Sequence, residues 1–193
     1  MTTFTTNSLS RPLGFGALLM VLLAFTATPA MGQMESGSSF KIGPRATIAL
    51  GDLSNAGADF AIGGDVRYDL SANVDAPIQL SGAFDFYFAD DRQFLNTTAS
   101  QTIFTVDLNG HYIFPTEGTI SPYAGAGLGI TNVSVDIDTP AGNSGGDDTD
   151  IGLNLVGGVE FQTGSVRPFA QGQVSFGGDF TRFGITGGVL FTL

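Results

Sequence analysis

From Phe40 onward, apolar and polar positions alternate with period two in segment after segment, the pattern of a strand with two different faces. The pattern predicts eight strands. The first, Phe40–Leu50, sets Phe40, Ile42, Ala46, Ile48 and Leu50 against Lys41, Gly43, Arg45 and Thr47. The second, Phe60–Leu70, sets Phe60, Ile62, Val66, Tyr68 and Leu70 against Asp65, Arg67 and Asp69. Ile78–Phe88 and Thr102–Phe114 repeat the scheme, with Asp85 on the polar face of the third strand and Asp107 and His111 on that of the fourth. In Ile120–Val135 the face opposite Ala124, Ala126, Leu128 and Ile130 is glycine, at Gly125, Gly127 and Gly129. Asp150–Gln162 alternates most cleanly, with Glu160 on its polar side. Val166–Phe176 is the weakest, and Phe180–Leu193 closes the series with Arg182 on the polar face.

Period two does not say which face is inside, and a soluble barrel or sandwich would bury the apolar one. Three features favour the inverted arrangement. The segments match the ~9–11 residues of a tilted membrane strand and exceed the ~5–6 of a soluble one. Of the six basic residues after position 32, Lys41, Arg45, Arg67, Arg167 and Arg182 fall on the polar face, and only Arg92 lies in a loop. The connections also alternate in length. Ser71–Pro77, Pro115–Thr119 and Thr163–Ser165 are short, and Gly51–Asp59, Ala89–Gln101 and Asp136–Thr149 are long. That is the asymmetry of short periplasmic turns and long extracellular loops, which only the short last connection, Gly177–Asp179, breaks. With the N-terminus in the periplasm, Phe40, Tyr68, Tyr112, Phe114, Phe161 and Phe191 gather at one rim. Phe60, Phe86, Phe88, Phe104, Phe176 and Phe183 gather nearer the other, as the two aromatic girdles of a membrane barrel require. The expected fold is therefore all-β: an eight-stranded antiparallel up-and-down transmembrane β-barrel over residues 40–193.

The first 32 residues stand apart. Arg11 precedes the apolar run Leu13–Phe25, and the small residues Ala27, Thr28, Ala30 and Gly32 follow, the order of a secretory signal peptide cut after Ala30 or Gly32. The run is too short for a spanning helix, and no later segment is longer. Residues 33–39 are then a short N-terminal periplasmic segment, and the absence of Cys excludes a lipoprotein anchor.

Composition narrows the class further. Charged residues make up 13% of the 193, Gly contributes 28, Phe 17 and Trp none. A soluble domain usually carries about 25% charged residues and about 7% Gly. Lys41 is the sole Lys, where a soluble β-protein would scatter Lys over its edges. The net charge of −11 excludes a basic nucleic-acid footprint.

The segment SPYAGAGLGI, Ser121–Ile130, and the terminal GGVLFTL, Gly187–Leu193, resemble the outer-membrane β-barrel domain family, which includes OmpA-like, OmpX-like and opacity-type barrels. The resemblance spans the whole mature chain. It implies a monomer in contact with outer-membrane lipid and lipopolysaccharide, inserted by the barrel-assembly machinery. Members usually end in an aromatic residue, whereas this chain ends in Leu193 with Phe191 two positions before it. Because the chain stops at the eighth strand, no peptidoglycan-binding domain is expected.

Lys41, Arg45, Asp65, Arg67, Asp69, Asp85, Asp107, His111, Glu160 and Arg182 would share a narrow lumen. Unpaired charges there are costly, so an ion-pair and hydrogen-bond plug is expected, with a gated small pore as the alternative. The resemblance also implies a third class, lipid A-modifying enzymes that use a His. The His-x-Ser pattern of the deacylases is missing, since Tyr112 and Ile113 follow His111, so His111 reads as a network member. Gly125, Gly127 and Gly129 lie in a strand with no following helix or Lys-Ser/Thr, which fails as a nucleotide loop and fits room for bulky lumenal neighbours. Asp136, Asp138, Asp147, Asp148 and Asp150 could hold Ca²⁺, but their spacing fits no EF-hand, and a solvated loop is expected. No cofactor, metal or catalytic residue is expected. The function expected is structural or adhesive, with loops Ala89–Gln101 and Asp136–Thr149 as contact surfaces for a surface ligand.

Overall fold

The computed structural model describes residues 40–193 apart from 72, 91, 95–96, 141 and 178–180, with backbone alone at 92–94. The expected signal peptide and the segment 33–39 lie outside the described residues. The strands are β1 (Phe40–Gly51), β2 (Phe60–Asp69), β3 (Ile78–Phe88), β4 (Arg92–Phe94), β5 (Thr97–Ile113), β6 (Ile120–Thr139), β7 (Gly142–Phe161), β8 (Val166–Phe176) and β9 (Arg182–Thr192). One short helix, α1 (Asp52–Asn55), follows β1. Among the described residues no helix is long and apolar enough to cross a membrane.

All pairings are antiparallel. Eight strands close in a ring, β1–β2–β3–β5–β6–β7–β8–β9, and the first and last meet with Ile42 opposite Phe191 and Leu50 opposite Phe183. β4 is a three-residue appendage paired with the start of β5. The expected eight-stranded up-and-down barrel is the fold observed.

The alternation resolves as outward-apolar and inward-polar. Leu108, Ile151 and Leu153 are more than 60% exposed, whereas Asp65 and Arg67 are fully buried. Exposing one Leu or Ile to water forfeits about 1.5–3 kcal/mol, so a band of them around the whole circumference is stable only against lipid. The aromatics named for the two rims project from this outer surface toward its two ends. Toward the chain termini, Phe40 sits opposite Tyr68, Ile120 opposite Phe161 and Val166 opposite Phe191. At the far end Phe60 sits opposite Phe88 with rings stacked at 6.0 Å, and Phe86 sits opposite Phe104. Phe104 is half-buried and the other eleven girdle aromatics are exposed. Tyr68 and Phe60 are separated by about 26 Å along β2, or about 20 Å along an axis from which strands tilt by ~40°.

The structure differs from the expected segments at the far end. The long connections 89–101 and 136–149 are in large part strand. β5 begins at Thr97, and β6 and β7 run on to Thr139 and back from Gly142, paired residue by residue from Ile120–Phe161 to Thr139–Gly142. The pairing of β3 with β5 stops at Tyr87–Ile103, and that of β7 with β8 stops at Leu153–Phe176. β5, β6 and β7 therefore rise as a wall above one side of the mouth. Its outer face turns polar abruptly: Phe104, Ile130 and Ile151 are followed by Thr102, Asn132 and Thr149, then by Ser134 and Asp147. Glycine and aspartate lower strand propensity, which hid this hairpin in the sequence. Side-chain bonds across it, Asn132 Nδ2 to Thr149 Oγ1 at 2.9 Å and Ser134 Oγ to an Asp147 carboxylate oxygen, help hold it.

Candidate functional site: the filled lumen and its mouth

Closing eight strands leaves an interior that side chains can fill, and here polar side chains fill it. Lys41 and Arg45 on β1 project inward beside Asp65 and Arg67 on β2, because inward positions recur every second residue. Arg67 is the hub. Its Nε donates to Asp65 Oδ1 at 3.1 Å and its Nη2 to Asp65 Oδ2 at 3.2 Å, a two-pronged pairing that matches the planar guanidinium. The same Nη2 lies 3.3 Å from both the Tyr123 hydroxyl and Gln171 Oε1. The guanidinium carbon sits 4.2 Å from the Phe169 ring centroid and 5.1 Å from that of Tyr123.

Toward the chain termini, Glu160 gathers three cations: Lys41 Nζ at 2.6 Å, Arg167 Nη1 at 3.2 Å and Arg67 Nη1 at 3.5 Å. Toward the mouth, Arg45 reaches Asp65 at 3.4 Å and Asp85 at 3.0 Å, and its Nη2 also donates to Thr186 Oγ1. These contacts form a continuous ladder, Lys41–Glu160–Arg67–Asp65–Arg45–Asp85. A second group stands beside it: Arg182 pairs with Asp107, which also accepts from Asn154 Nδ2 at 3.0 Å. Four buried cations (Lys41, Arg45, Arg67, Arg182) face four buried anions (Asp65, Asp85, Asp107, Glu160), so the interior is charge-balanced apart from the part-exposed Arg167 at its edge.

Two expected members stand apart. Asp69 is half-buried at the terminal rim and accepts from the Ser71 N–H at 2.9 Å, with no ion pair among the described residues. His111 is buried in the lumen and stacks on Tyr123 at 4.7 Å, but neither ring nitrogen has a hydrogen-bond partner among the described residues. It has no acid or hydroxyl partner there of the kind a general base needs.

Asn154 and Gln171 lie on the polar faces that the alternation marks, whereas Tyr123 and Phe169 are missed by residue type although strand parity carries the signal. Tyr123 shares its face with Gly125, and Phe169 shares its face with Gln171. Aromatics on a polar face are there to pack against something, in this case the Arg67 guanidinium. The inward glycines supply the space. A Cβ on Gly158 would meet the Tyr123 ring at 2.7 Å. One on Gly129 would come within 2.6–2.8 Å of Asp107, Arg182 and Asn154 together.

At the mouth the filling turns apolar. Leu53 of α1 is buried with Ala49, Ala58, Ala61, Tyr87 and Ile103, a cap above the charged layers. Asp52 Oδ2 accepts from the Thr181 N–H at 2.9 Å and ties α1 to the start of β9. Outside the cap, a cleft of about 380 Å³ lies between Asn55, Asp90 and the wall residues Ala99, Gln101 and Val135. The wall is wholly acidic in its charges: no Lys or Arg occurs from residue 93 to 166. Among the described residues no group of three or more His, Cys, Asp or Glu side chains could hold a metal ion.

Comparison with known proteins agrees with this architecture. A family model described as the outer membrane protein beta-barrel domain matches residues 17–190. The N-terminal β-barrel domain of Pseudomonas aeruginosa OprF superposes with a TM-score of 0.57 at 19% identity, over 81% of this chain and 98% of that one. Neisserial surface protein A gives 0.56 at 22% identity, over 82% of this chain and 100% of its own. Ail, the attachment invasion locus protein of Yersinia pestis, gives 0.51 at 16%, over 82% and 98%. At these identities the likeness is one of fold. No curated protein sequence matches the chain.

Proposed function

The chain belongs to the outer membrane protein β-barrel domain family and is a bacterial outer-membrane protein, and from that premise we propose that it is a closed, non-enzymatic barrel with a structural and surface-presenting role. The observation that carries this reading is the lumen. Its charges are balanced and bonded layer by layer, and a cavity of only about 10 Å³ sits among Arg45, Asp85, Gln173 and Arg182. A hydrated ion does not fit such a space, which is about that of one water molecule. His111 is enclosed below the mouth without a catalytic partner among the described residues, which argues against a lipid-modifying enzyme.

In this reading the termini and short turns face the periplasm, and the barrel-assembly machinery inserts the chain as a monomer. The outer apolar band contacts lipid and lipopolysaccharide. The wall built from β5, β6 and β7 stands outside the cell as the contact surface for a surface ligand, held rigidly by the barrel below. Its charge favours a cationic or neutral partner over a polyanion.

Planar-bilayer recording of the purified barrel tests the closed lumen. The expected result is no steady single-channel current in molar KCl, and reproducible unitary steps from the native chain would overturn it. A deletion strain tests the role, with raised detergent sensitivity expected and unchanged envelope and surface-binding phenotypes counting against it.

A further inference from the structure

The ladder ending at Arg45–Asp85 and the separate Arg182–Asp107 group have no direct bond between them among the described residues, yet both border a small cavity in the lumen. Four side chains around that cavity each keep a buried atom without a hydrogen-bond partner among the described residues: Arg45 Nε, Arg182 Nε, Asp85 Oδ1 and Gln173 Oε1. Buried polar atoms nearly always find a partner in protein or in ordered water, so four around one space call for one.

We propose that this cavity is a binding site for a single ordered water molecule that joins the two ion-pair groups into one network. The chemistry selects the occupant. Two of the atoms, the guanidinium Nε–H groups, can only donate, and the other two, a carboxylate and an amide oxygen, accept. A water molecule accepts two hydrogen bonds and donates two, and so completes all four. A bare cation would meet two guanidinium groups, and a halide would meet the Asp85 and Asp107 carboxylates. The volume of about 10 Å³ admits one water and nothing larger. The apolar cap of Leu53, Ala49, Ala61 and Ile103 lies on the mouth side of these charged layers. The water thus couples Arg182, anchored on β9, to Arg45, anchored on β1, by way of the lumen as well as through the strand pairing.

This inference rests on the closed-lumen reading, and its test is separable from it. In ¹⁵N-labelled barrel in micelles, the Nε–H protons of Arg45 and Arg182 are expected to show cross-peaks to one long-lived water, with the sign of a molecule that tumbles with the protein. Gln173→Met removes an acceptor at similar volume, and Gly184→Ala places a methyl at the cavity wall. Either is expected to abolish both cross-peaks together while leaving strand amide shifts elsewhere in place. Absence of the cross-peaks in the native barrel, or their persistence in both variants through relay from the Tyr87 hydroxyl, overturns the proposal. A dry site in a non-conducting barrel removes the water and leaves the closed lumen standing, whereas unitary currents would remove the closed lumen itself.

Discussion

Glu160 is the most exposing place to perturb the lumen, because three cations depend on it to different degrees. For Lys41 it is the sole ion-pair partner among the described residues, at 2.6 Å. Arg67 keeps its two-pronged bond to Asp65 without Glu160, and Arg167 is part-exposed and can turn to water. Glu160→Gln keeps the shape and removes the charge, so the loss falls mainly on Lys41 and secondarily on Arg67. Breaking a buried pair by neutralising one partner destabilises by about 3–5 kcal/mol. The lower end applies here, since Lys41 lies near the terminal rim and its flexible stem can reach water. With a urea slope of about 2 kcal/mol/M for a chain of this size, a loss of ~3 kcal/mol lowers the unfolding midpoint by roughly 1.5 M.

The assay is urea unfolding of the barrel in phospholipid vesicles followed by circular dichroism, since the chain has no Trp to report by fluorescence. Lys41→Met paired with Glu160→Gln closes a double-mutant cycle. Residues in direct contact couple by about 0.5–3 kcal/mol, and a coupling above ~1.5 kcal/mol is expected for a pair this close and this buried. A midpoint for Glu160→Gln within 0.2 M of native, or strict additivity in the cycle, would mean that the lumen charges are solvated individually. The account of a plug would then be wrong.

Other perturbations probe other layers. Gly129→Val should destabilise by about 1–3 kcal/mol through overpacking, because even its Cβ would come within 2.8 Å of Asp107, Arg182 and Asn154; a neutral result in the same urea assay would show that those side chains have room to spare. Leu128→Arg, on the lipid face at mid-strand and 54% exposed, should cost about 2–4 kcal/mol. Ser134→Arg, on the same face of the same strand above the polar boundary, should cost under ~1 kcal/mol, and equal costs at both would misplace the membrane edge. Ail has been crystallised with the heparin analogue sucrose octasulfate, and the wall of this chain carries no Lys or Arg from residue 93 to 166. Calorimetric titration with that compound should therefore give no binding at millimolar concentration, and saturable binding would contradict the charge argument.

The parts of the molecule that were legible in the sequence are those where period two and residue polarity reinforce each other. Lys41, Arg45 and Arg67 share a parity with Thr47, Asp65 and Asp85, and lumenal placement follows once strand length marks the apolar face as the lipid face. The raised wall was not legible, because residues 142–148 are Gly, Asn, Ser and Asp, which read as loop whenever propensity is the guide. They form a strand because β6 beside them is held in register by the barrel from Ile120 upward, and pairing propagates along an aligned partner. Local preference lost to an alignment fixed some twenty residues away.

The hub around Arg67 was hidden for a different reason. Parity places Tyr123, Phe169 and Arg67 on inward faces, but not at one height. Their meeting depends on the relative stagger of β2, β6 and β8 around the ring, which is a property of closure and of no single segment. Gly158 and Gly188 make the same point from the opposite side. Each looks like a weak strand position in isolation, yet a Cβ at Gly188 would lie 2.6 Å or less from the Phe169 ring and one at Gly158 would strike Tyr123. A glycine on the inward face of a small barrel is thus a record of a bulky residue directly opposite it on the neighbouring strand. Inward glycines facing inward aromatics at matching register are therefore the sequence signal of such a hub.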